Sequence, residues 1–575
     1  MPTHKITSAL TSFLAIALLL ALLGAKTTPE HSAAASTPAP TPAASPTSEP
    51  EPTKPNIVVV MADDMRADDL RFMPAVDELI TDRGLKFSNA FSPFPLCCPA
   101  RSSFLSGQFA HNTKVYDNNK PFGFGSFDDS RTLATSLRKA GYRTAFVGKY
   151  LNAYGIDRSK VTGEHSWNYV PPGWTDWYAT VQRPERLKEK YPSGGTYDYF
   201  HPIFNVNGRT DDTHKGEYQT GVVGAFSRNI VHRYSGTDQP FFLFLSALAP
   251  HDGRPHEDDD VRVARRSDGQ ASVFRSPARP DWIKGRFDEE TGRSPGLPTK
   301  ADEPSEDDVT DKPPALQRPD LNESERRIVA NLTRQRAESL AVLDGHVRRL
   351  VTTLRNRGEL EDTVFVFTSD NGFFLGEHRI RTGKRMGYEP SIRVPLVIAG
   401  PGIPRGVRHD PATTQDVSAT ILDLAEAAPP HYPDGRSLVP SFTADRGWIA
   451  PVLTEGVASG PPKPRDSRQE EAGFTDPRTT IGIRTSRYKL IRDVSGTVEL
   501  YDLDKDPNEL TSVADDPDYA DVRKELMRLW HQYKDCAAAE CTAPLPPDLA
   551  RTPEQVAAST QKQADGVLKR HGVTF

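Results

Sequence analysis

Two adjacent thiols mark the stretch of this chain richest in chemistry. The protein has four cysteines in 575 residues, and two of them, Cys97 and Cys98, are neighbours within PFPLCCPARSSFLSGQ, residues 93–108. Neighbouring cysteines that bond to each other close a strained ring, so each thiol needs its own explanation, chemical or packing. The following residues have the form of a helix start: Pro99 suits a first turn, and ARSSFL can continue helically to Gly107. A group at position 97 then stands at a helix N-terminus, where free N–H groups and the helix dipole favour an anion. Arg101 lies one turn on and faces the same way. A nucleophile, a cation and an anion-binding helix end together suit a tetrahedral oxyanion.

Other polar groups follow short apolar runs. Asp63 and Asp64 come after 57–62, Gly148 and Lys149 after 144–147, His251 in LAPHDG after 241–247, and Asp370 and Asn371 after 364–368. If these runs are strands, their carboxyl ends are where an open α/β sheet places its ligand crevice. Asp63, Asp64, Asp370 and Asn371 offer only oxygen, which suits Ca²⁺ or Mg²⁺ better than zinc. The alternative for these four is turn and helix-capping duty.

The elements that must position these groups are legible in outline. The four runs, with a fifth at 394–399, are continuously apolar, which predicts a parallel sheet covered on both faces. In 328–354, Ile328, Leu332, Leu340, Leu343, Val347, Leu350 and Leu354 keep three-or-four spacing and predict a long amphipathic helix. Strands alternating with helices indicate an α/β sandwich. The interval 252–322 is dense in Asp, Arg and Pro and predicts a surface excursion. Near the end, TIGIRTSRYKLIRD and TVELYDLDKD flank VSG, which predicts two strands of a small antiparallel sheet.

Composition narrows the class. With 37% hydrophobic and 26% charged residues the chain is a soluble globular type, and a net charge of −6 without a basic run argues against a nucleic-acid partner. His4 and Lys5 precede an apolar run over 9–25 that ends in small residues, the layout of a secretory signal peptide. The run also approaches the roughly 17-residue lower limit for a membrane span, so an uncleaved anchor is the alternative and the one route to membrane contact. A spacer rich in Pro, Ala, Ser and Thr follows to residue 54. The expected organisation is a signal peptide (1–25), spacer (26–54), main domain (55–450), small-sheet region (451–545) and polar tail (546–575). In an oxidising compartment Cys536 and Cys541, in CAAAEC, are expected to close a short disulfide loop. Asn331, in NLT, is a glycosylation sequon only formally, because it falls within the predicted helix.

With these residues in place the chain resembles the sulfatases. Their modification signature, Cys-x-Pro-Ser/Ala-Arg followed by x-x-x-Leu-Thr/Ser-Gly, matches Cys97, Pro99, Ala100, Arg101, Leu105, Ser106 and Gly107. Only the frame beginning at Cys97 fits. A second family signature, Gly-Tyr-x-Thr-x-x-x-Gly-Lys, appears as GYRTAFVGK, ending at Lys149, and NIVVVMADDM, APH, TSDNG, LGEH and GKRMGYEPSIRVPL also match. The likeness runs in order over about 54–535. It implies an alkaline-phosphatase-like fold and oxidation of Cys97 to formylglycine by a formylglycine-generating enzyme. It also implies Ca²⁺, with Mg²⁺ as the weaker fit, held by Asp63, Asp64, Asp370, Asn371 and residue 97. Arg101 and Lys149 would then hold nucleophile and sulfate, while His251 and Lys384 would contact the sulfate and assist the leaving oxygen. His378, in GEH, would lie near the substrate.

The resemblance implies a hydrated aldehyde that attacks sulfur, releases the alcohol, and expels sulfate by losing its second hydroxyl proton. A plain serine or cysteine cannot perform that last step. The usual His shortly after the Gly-Lys pair is missing, since the chain has GKYLNAYG. This variant looks like the N-acetylglucosamine-6-sulfatase subgroup and points to a sulfated sugar or aryl sulfate. The alternatives are a phosphodiester or phosphonate monoester hydrolase on the same scaffold, and an unmodified carbohydrate-binding relative.

Overall fold

The structure is a computed structural model that describes residues 54–457 and 477–575. The expected signal peptide, and the spacer apart from Lys54, lie outside the described residues. Ten strands form the main sheet: β1 (Asn56–Ala62), β2 (Leu85–Phe91), β3 (Arg143–Lys149), β4 (Asp176–Thr180), β5 (Phe204–Val206), β6 (Arg209–Asp211) and β7 (Phe241–Ser246), then, beyond a hairpin of β8 (Val263–Arg265) and β9 (Ala271–Val273), β10 (Thr363–Ser369), β11 (Leu396–Ala399) and β12 (Gly406–Thr413). Their spatial order is β12-β2-β11-β10-β1-β7-β3-β4-β5-β6.

The central strands β10, β1, β7 and β3 are mutually parallel. Their carboxyl ends therefore lie along one edge of the sheet, whatever their distance in sequence. Alternation shows why these strands are apolar throughout: Ile57, Val59 and Met61 enter the core on one face, and Val58, Val60 and Ala62 the core on the other. The helices Gln219–Tyr234 and Glu323–Asn356 cover the second face through Val223, Ile230, Leu343, Val347 and Leu350. The helices Cys97–Ser106 and Thr414–Leu424 cover the first through Phe104, Leu105, Val417 and Ile421. Each such aliphatic side chain contributes about 1.5–3 kcal/mol by leaving water. The long helix begins at Asn322, whose side chain accepts from Glu325 N at 3.0 Å while Glu325 Oε2 accepts from Asn322 N at 3.1 Å.

Several expectations are corrected. The run at 394–399 does form a strand, but β11 is antiparallel to both β10 and β2. The segment TIGIRTSRYKLIRD is two strands rather than one. The small sheet has four antiparallel strands: β13 (Val452–Gly456), β14 (Thr480–Arg484), β15 (Tyr488–Asp493) and β16 (Val498–Asp502), paired in chain order. The helix Ala520–Tyr533 packs on this sheet through Leu526, Leu529 and Trp530.

The interval 252–322 is more than a surface excursion. Its Arg279 is buried and pairs with Glu338 of the long helix at 2.6 Å and with Glu257 and Asp259 at 2.7 Å each, while Phe274, Leu297 and Leu321 pack on Ile328 and Val329 of the same helix, so charge and apolar contacts together dock it. Part of the expected polar tail is the helix Pro553–His571, capped by Thr552, with Val556, Ser559, Thr560 and Gln563 buried. Cys536 and Cys541 are disulfide-bonded, with Cα atoms 5.1 Å apart. Asn331 lies inside the long helix and donates to Asp259 O at 3.0 Å, so its side chain is engaged within the fold.

Candidate active site

The helix Cys97–Ser106 starts at position 97, with Pro99 in its first turn and Gly107 ending it at φ 74°. Cys97 is buried, and its Sγ lies 3.4 Å from Asp63 Oδ1, 3.8 Å from Asp64 Oδ1 and 3.0 Å from Lys384 Nζ. One ligand atom from each of Asp63, Asp64, Cys97 and His251 falls within 4.8 Å of the others. Cys98 points into the core behind: its N donates to Asn118 Oδ1 at 2.9 Å, and burial pushes its thiol pKa far up. The two neighbours therefore divide as the register of the motif requires.

Asp63 and Asp64 leave the end of β1, and Asp64 holds a left-handed φ of 67°, a conformation that Asp tolerates better than most residues. Its N–H donates to Asp370 Oδ1 at 3.0 Å, and its carbonyl accepts from Arg336 Nη2 at 2.6 Å. Lys149 ends β3 and pairs with Asp63. Gly148 before it is required by close approach, since a Cβ there would meet Ser246 O of β7 at 1.9 Å. Arg101 Nε donates to Asp370 Oδ2 at 2.8 Å, while its Nη1 donates to Lys149 O at 2.9 Å and Ser246 Oγ at 2.5 Å. Its Nη2 lies 3.7 Å from Asp63 Oδ1 and has no hydrogen-bond partner. Lys384 also pairs with Asp64, and Asn371 Nδ2 donates to Asp64 Oδ1 at 2.7 Å. His251 Nδ1 contacts Asp252 O at 2.7 Å, leaving Nε2 3.7 Å from Asp64 Oδ2.

The electrostatics follow from packing three carboxylates together. Burial pushes Asp63 up, but Lys149, His251 and Arg101 outweigh it and hold the carboxyl well below its usual range. Asp64 is lowered too, by Lys384 and His251 against burial. Asp370 goes the other way: burial and then the Asp63 charge push it up to about 6, against Arg101. Burial pulls the His251 imidazole down, yet Asp63 and Asp252 outweigh it and push it up to about 9. Among these groups the side chains of His251 and Lys384 keep 12% and 10% of their exposure, so the cluster opens to solvent on their side.

The donor set fits a hard cation. Asp63, Asp64, Asp370 and Asn371 are fully or almost fully buried, adjoin one another and offer side-chain oxygen, and Asn371 Oδ1 accepts no hydrogen bond. A buried acceptor left unpaired costs about 1–3 kcal/mol, which a ligand bond to a metal would offset.

The structure does not bring His378 into this cluster. Its imidazole is buried, sits 3.1 Å from Glu306 Oε2 and stacks on Tyr388 with centroids 4.4 Å apart. The preceding Glu377 pairs with Arg66 at 2.7 Å, so the GEH turn serves a separate network. Conversely, Tyr197, Ser246 and Arg336 touch the cluster's residues, and Asn152 holds Tyr197, without being anticipated. Ser246 ends an apolar run and Asn152 stands in GKYLN, but Tyr197 lies in a loop with no sequence signal.

The sequence profile of the sulfatase family matches residues 55–427, and that of the N-sulphoglucosamine sulphohydrolase C-terminal region matches 471–535. An arylsulfatase of Volvox carteri is 29% identical over 532 residues, covering 85% of this chain and 76% of that enzyme. The N-acetylglucosamine-6-sulfatase of Homo sapiens is 27% identical over 524 residues, covering 85% and 86%. A solved structure, described as a complex with its substrate D-glucosamine-2-N,6-O-disulfate, superposes with a TM-score of 0.57 at 23% identity and covers 84% of this chain and 98% of that one. A match over most of the chain, on a fold whose strand ends gather the motif residues, leads to one conclusion: the chain belongs to the sulfatase family and is a sulfuric ester hydrolase.

Proposed function

We propose that this chain is an exported sulfatase acting on sulfate monoesters of sugars, with Cys97 matured to formylglycine by a formylglycine-generating enzyme and Ca²⁺ held by Asp63, Asp64, Asp370, Asn371 and residue 97. The observation that carries it is the convergence of all these side chains, with Arg101, Lys149, His251 and Lys384, on one buried cluster at a helix N-terminus. The unpaired Asn371 Oδ1 supports the cation. Ca²⁺ bound there supplies positive charge that offsets the repulsion between an anionic ester and its nucleophile.

The chain's own residues supply the rest. Arg101 is locked by Asp370, Lys149 O and Ser246, so its free Nη2 is a preset donor for an anionic oxygen. Lys149 adds a second fixed cation at the end of β3. Lys384 contacts Cys97 Sγ, whose place an oxygen of the matured residue would take, and so stands beside the nucleophile's position. His251, held through Nδ1 and directed through Nε2, is placed to give the departing alcohol oxygen its proton.

The sugar assignment is supported by the GKYLN variant, by the similarity to N-acetylglucosamine-6-sulfatase and by the glucosamine disulfate complex of a fold relative. Export is supported by the apolar run over 9–25 and by the Cys536–Cys541 disulfide. The test is free sulfate released from N-acetylglucosamine 6-sulfate, with an aryl sulfate and an aryl phosphodiester run in parallel. Sulfate release by the wild type and none by Cys97→Ala is the expected outcome. A much faster phosphodiester reaction would transfer the assignment to phosphorus.

A further inference from the structure

We infer that Tyr197, tethered by Asn152, is the positioning residue for the leaving-group side of the site. The inference rests on the sulfatase assignment proposed above. Lys384 is committed to the nucleophile, with its Nζ 3.0 Å from Cys97 Sγ and paired with Asp64. Arg101 lies buried against Asp370. The group left to face the departing oxygen is His251, on the side where the cluster opens to solvent, and it shares one aromatic ring with Lys149, which is buried and paired with Asp63. The Tyr197 centroid is 5.0 Å from Lys149 Nζ and 5.1 Å from the His251 ring centroid, with the two planes inclined by 36°.

The ring itself is fixed from its far end. Tyr197 Oη accepts a hydrogen bond from Asn152 Nδ2 at 2.6 Å. Asn152 follows Lys149 by three residues, is buried, and leaves its own Oδ1 without a partner. Strand end, tether and ring thus make one closed unit: β3 presents Lys149, its continuation presents Asn152, and Asn152 holds the ring that returns to Lys149.

Such a ring has two physical effects. Its electron-rich face attracts the ammonium and limits where it can point. Its plane also restricts the His251 imidazole, which is already tied through Nδ1 to Asp252 O, so that Nε2 stays directed at the cluster. Small displacements of a proton donor are expensive in rate, and the loss falls only on reactions that need the proton.

The test compares kcat and KM for the wild type, Tyr197→Phe, Tyr197→Leu and Asn152→Ala on two sulfate monoesters. One is 4-nitrophenyl sulfate, whose phenolate departs without a proton; the other is N-acetylglucosamine 6-sulfate, whose alkoxide requires one. Tyr197→Leu should lower kcat on the sugar sulfate on the order of 100-fold while lowering it far less on the aryl sulfate. Tyr197→Phe keeps the ring and should retain most activity on both, and Asn152→Ala should show a smaller loss with the same bias toward the sugar sulfate. Equal losses on the two esters, an unaffected Leu variant, or a Phe variant as impaired as Leu each overturn the inference while leaving the sulfatase assignment standing. A wild-type enzyme that turns over neither ester overturns the assignment and this inference with it.

Discussion

Arg336 offers a demanding test of how Asp64 is held. It lies on the buried face of the long helix, at 2% exposure, and its Nη2 donates both to Asp64 O at 2.6 Å and to Asp69 Oδ2 at 2.9 Å. Its guanidinium also stands 4.5 Å from the Phe373 ring centroid. Asp64 meanwhile keeps its left-handed backbone. Arg336→Met removes one partner of a buried ion pair and leaves Asp69 with a bond from Arg66 N at 3.3 Å. Breaking such a pair from one side costs about 3–5 kcal/mol, because the remaining charge stays buried and unpaired. Removing both charges, as Arg336→Met with Asp69→Leu, removes that penalty and leaves about 1–3 kcal/mol each for the Asp64 carbonyl that has lost its donor and the Arg66 N–H that has lost its acceptor. The assay is urea unfolding of wild type, both single variants and the double variant at fixed pH and Ca²⁺, read as a double-mutant cycle. A double variant destabilised by the sum of the singles would refute the clamp.

Two further outcomes follow from the same geometry. Ca²⁺ at about 100 times its Kd should stabilise the wild type by about 2.7 kcal/mol, and Asn371→Leu, which removes the unpaired Oδ1, should shrink that response in a thermal titration; an equal response would take Asn371 out of the ligand set. Away from the site, His111 and Glu455 form a buried pair at 2.9 Å, backed by Arg478 at 2.6 Å. Burial lowers His111, but Glu455 outweighs it and raises the imidazole; burial raises Glu455, but His111 and Arg478 outweigh it and bring the carboxyl to about 2. The His111 contribution is therefore complete below its unfolded pKa of about 6.5 and is lost as pH rises through its higher folded value. The Glu455 contribution is complete above about 4.3 in the unfolded reference and is lost as pH falls toward about 2. Urea midpoints measured against pH should thus show a maximum for this pair between about 4.3 and 6.5, and Glu455→Gln should flatten both flanks; a parallel curve in the variant would contradict the pairing.

The parts legible in sequence were those whose burial is two-sided or whose spacing is fixed by backbone geometry. β1, β3, β7 and β10 announce themselves because both faces are covered, and the groups at their carboxyl ends converge because the strands are parallel. The direction of β11 was not legible, since an apolar run carries no sign. β2, as LKFSNAF, and β12, with Asp410 and Pro411, hide behind polar residues that neighbouring strands and loops satisfy, as when Asp410 accepts from Ser441 and Arg446. The interval 252–322 reads as solvated because its few docking apolar residues, Phe274, Phe287, Leu297 and Leu321, are scattered without periodicity, and Arg279 with its acidic partners is indistinguishable from a charged surface until Glu338 is placed beside it. His378 carried the motif's suggestion of a substrate contact, but the turn at Gly376 and Glu377 sends it to Glu306. Tyr197 reaches Lys149 only through the tertiary path of its loop.

The central claim concerns one atom, the sulfur of Cys97. Mass analysis of the alkylated tryptic peptide that spans residues 87–101, taken from enzyme with measured sulfatase turnover, tests it most directly. The expected peptide has lost the Cys97 sulfur in exchange for an aldehyde oxygen and carries a single alkylated thiol, at Cys98. An active enzyme whose peptide retains both sulfurs and takes up two alkyl groups would contradict the account.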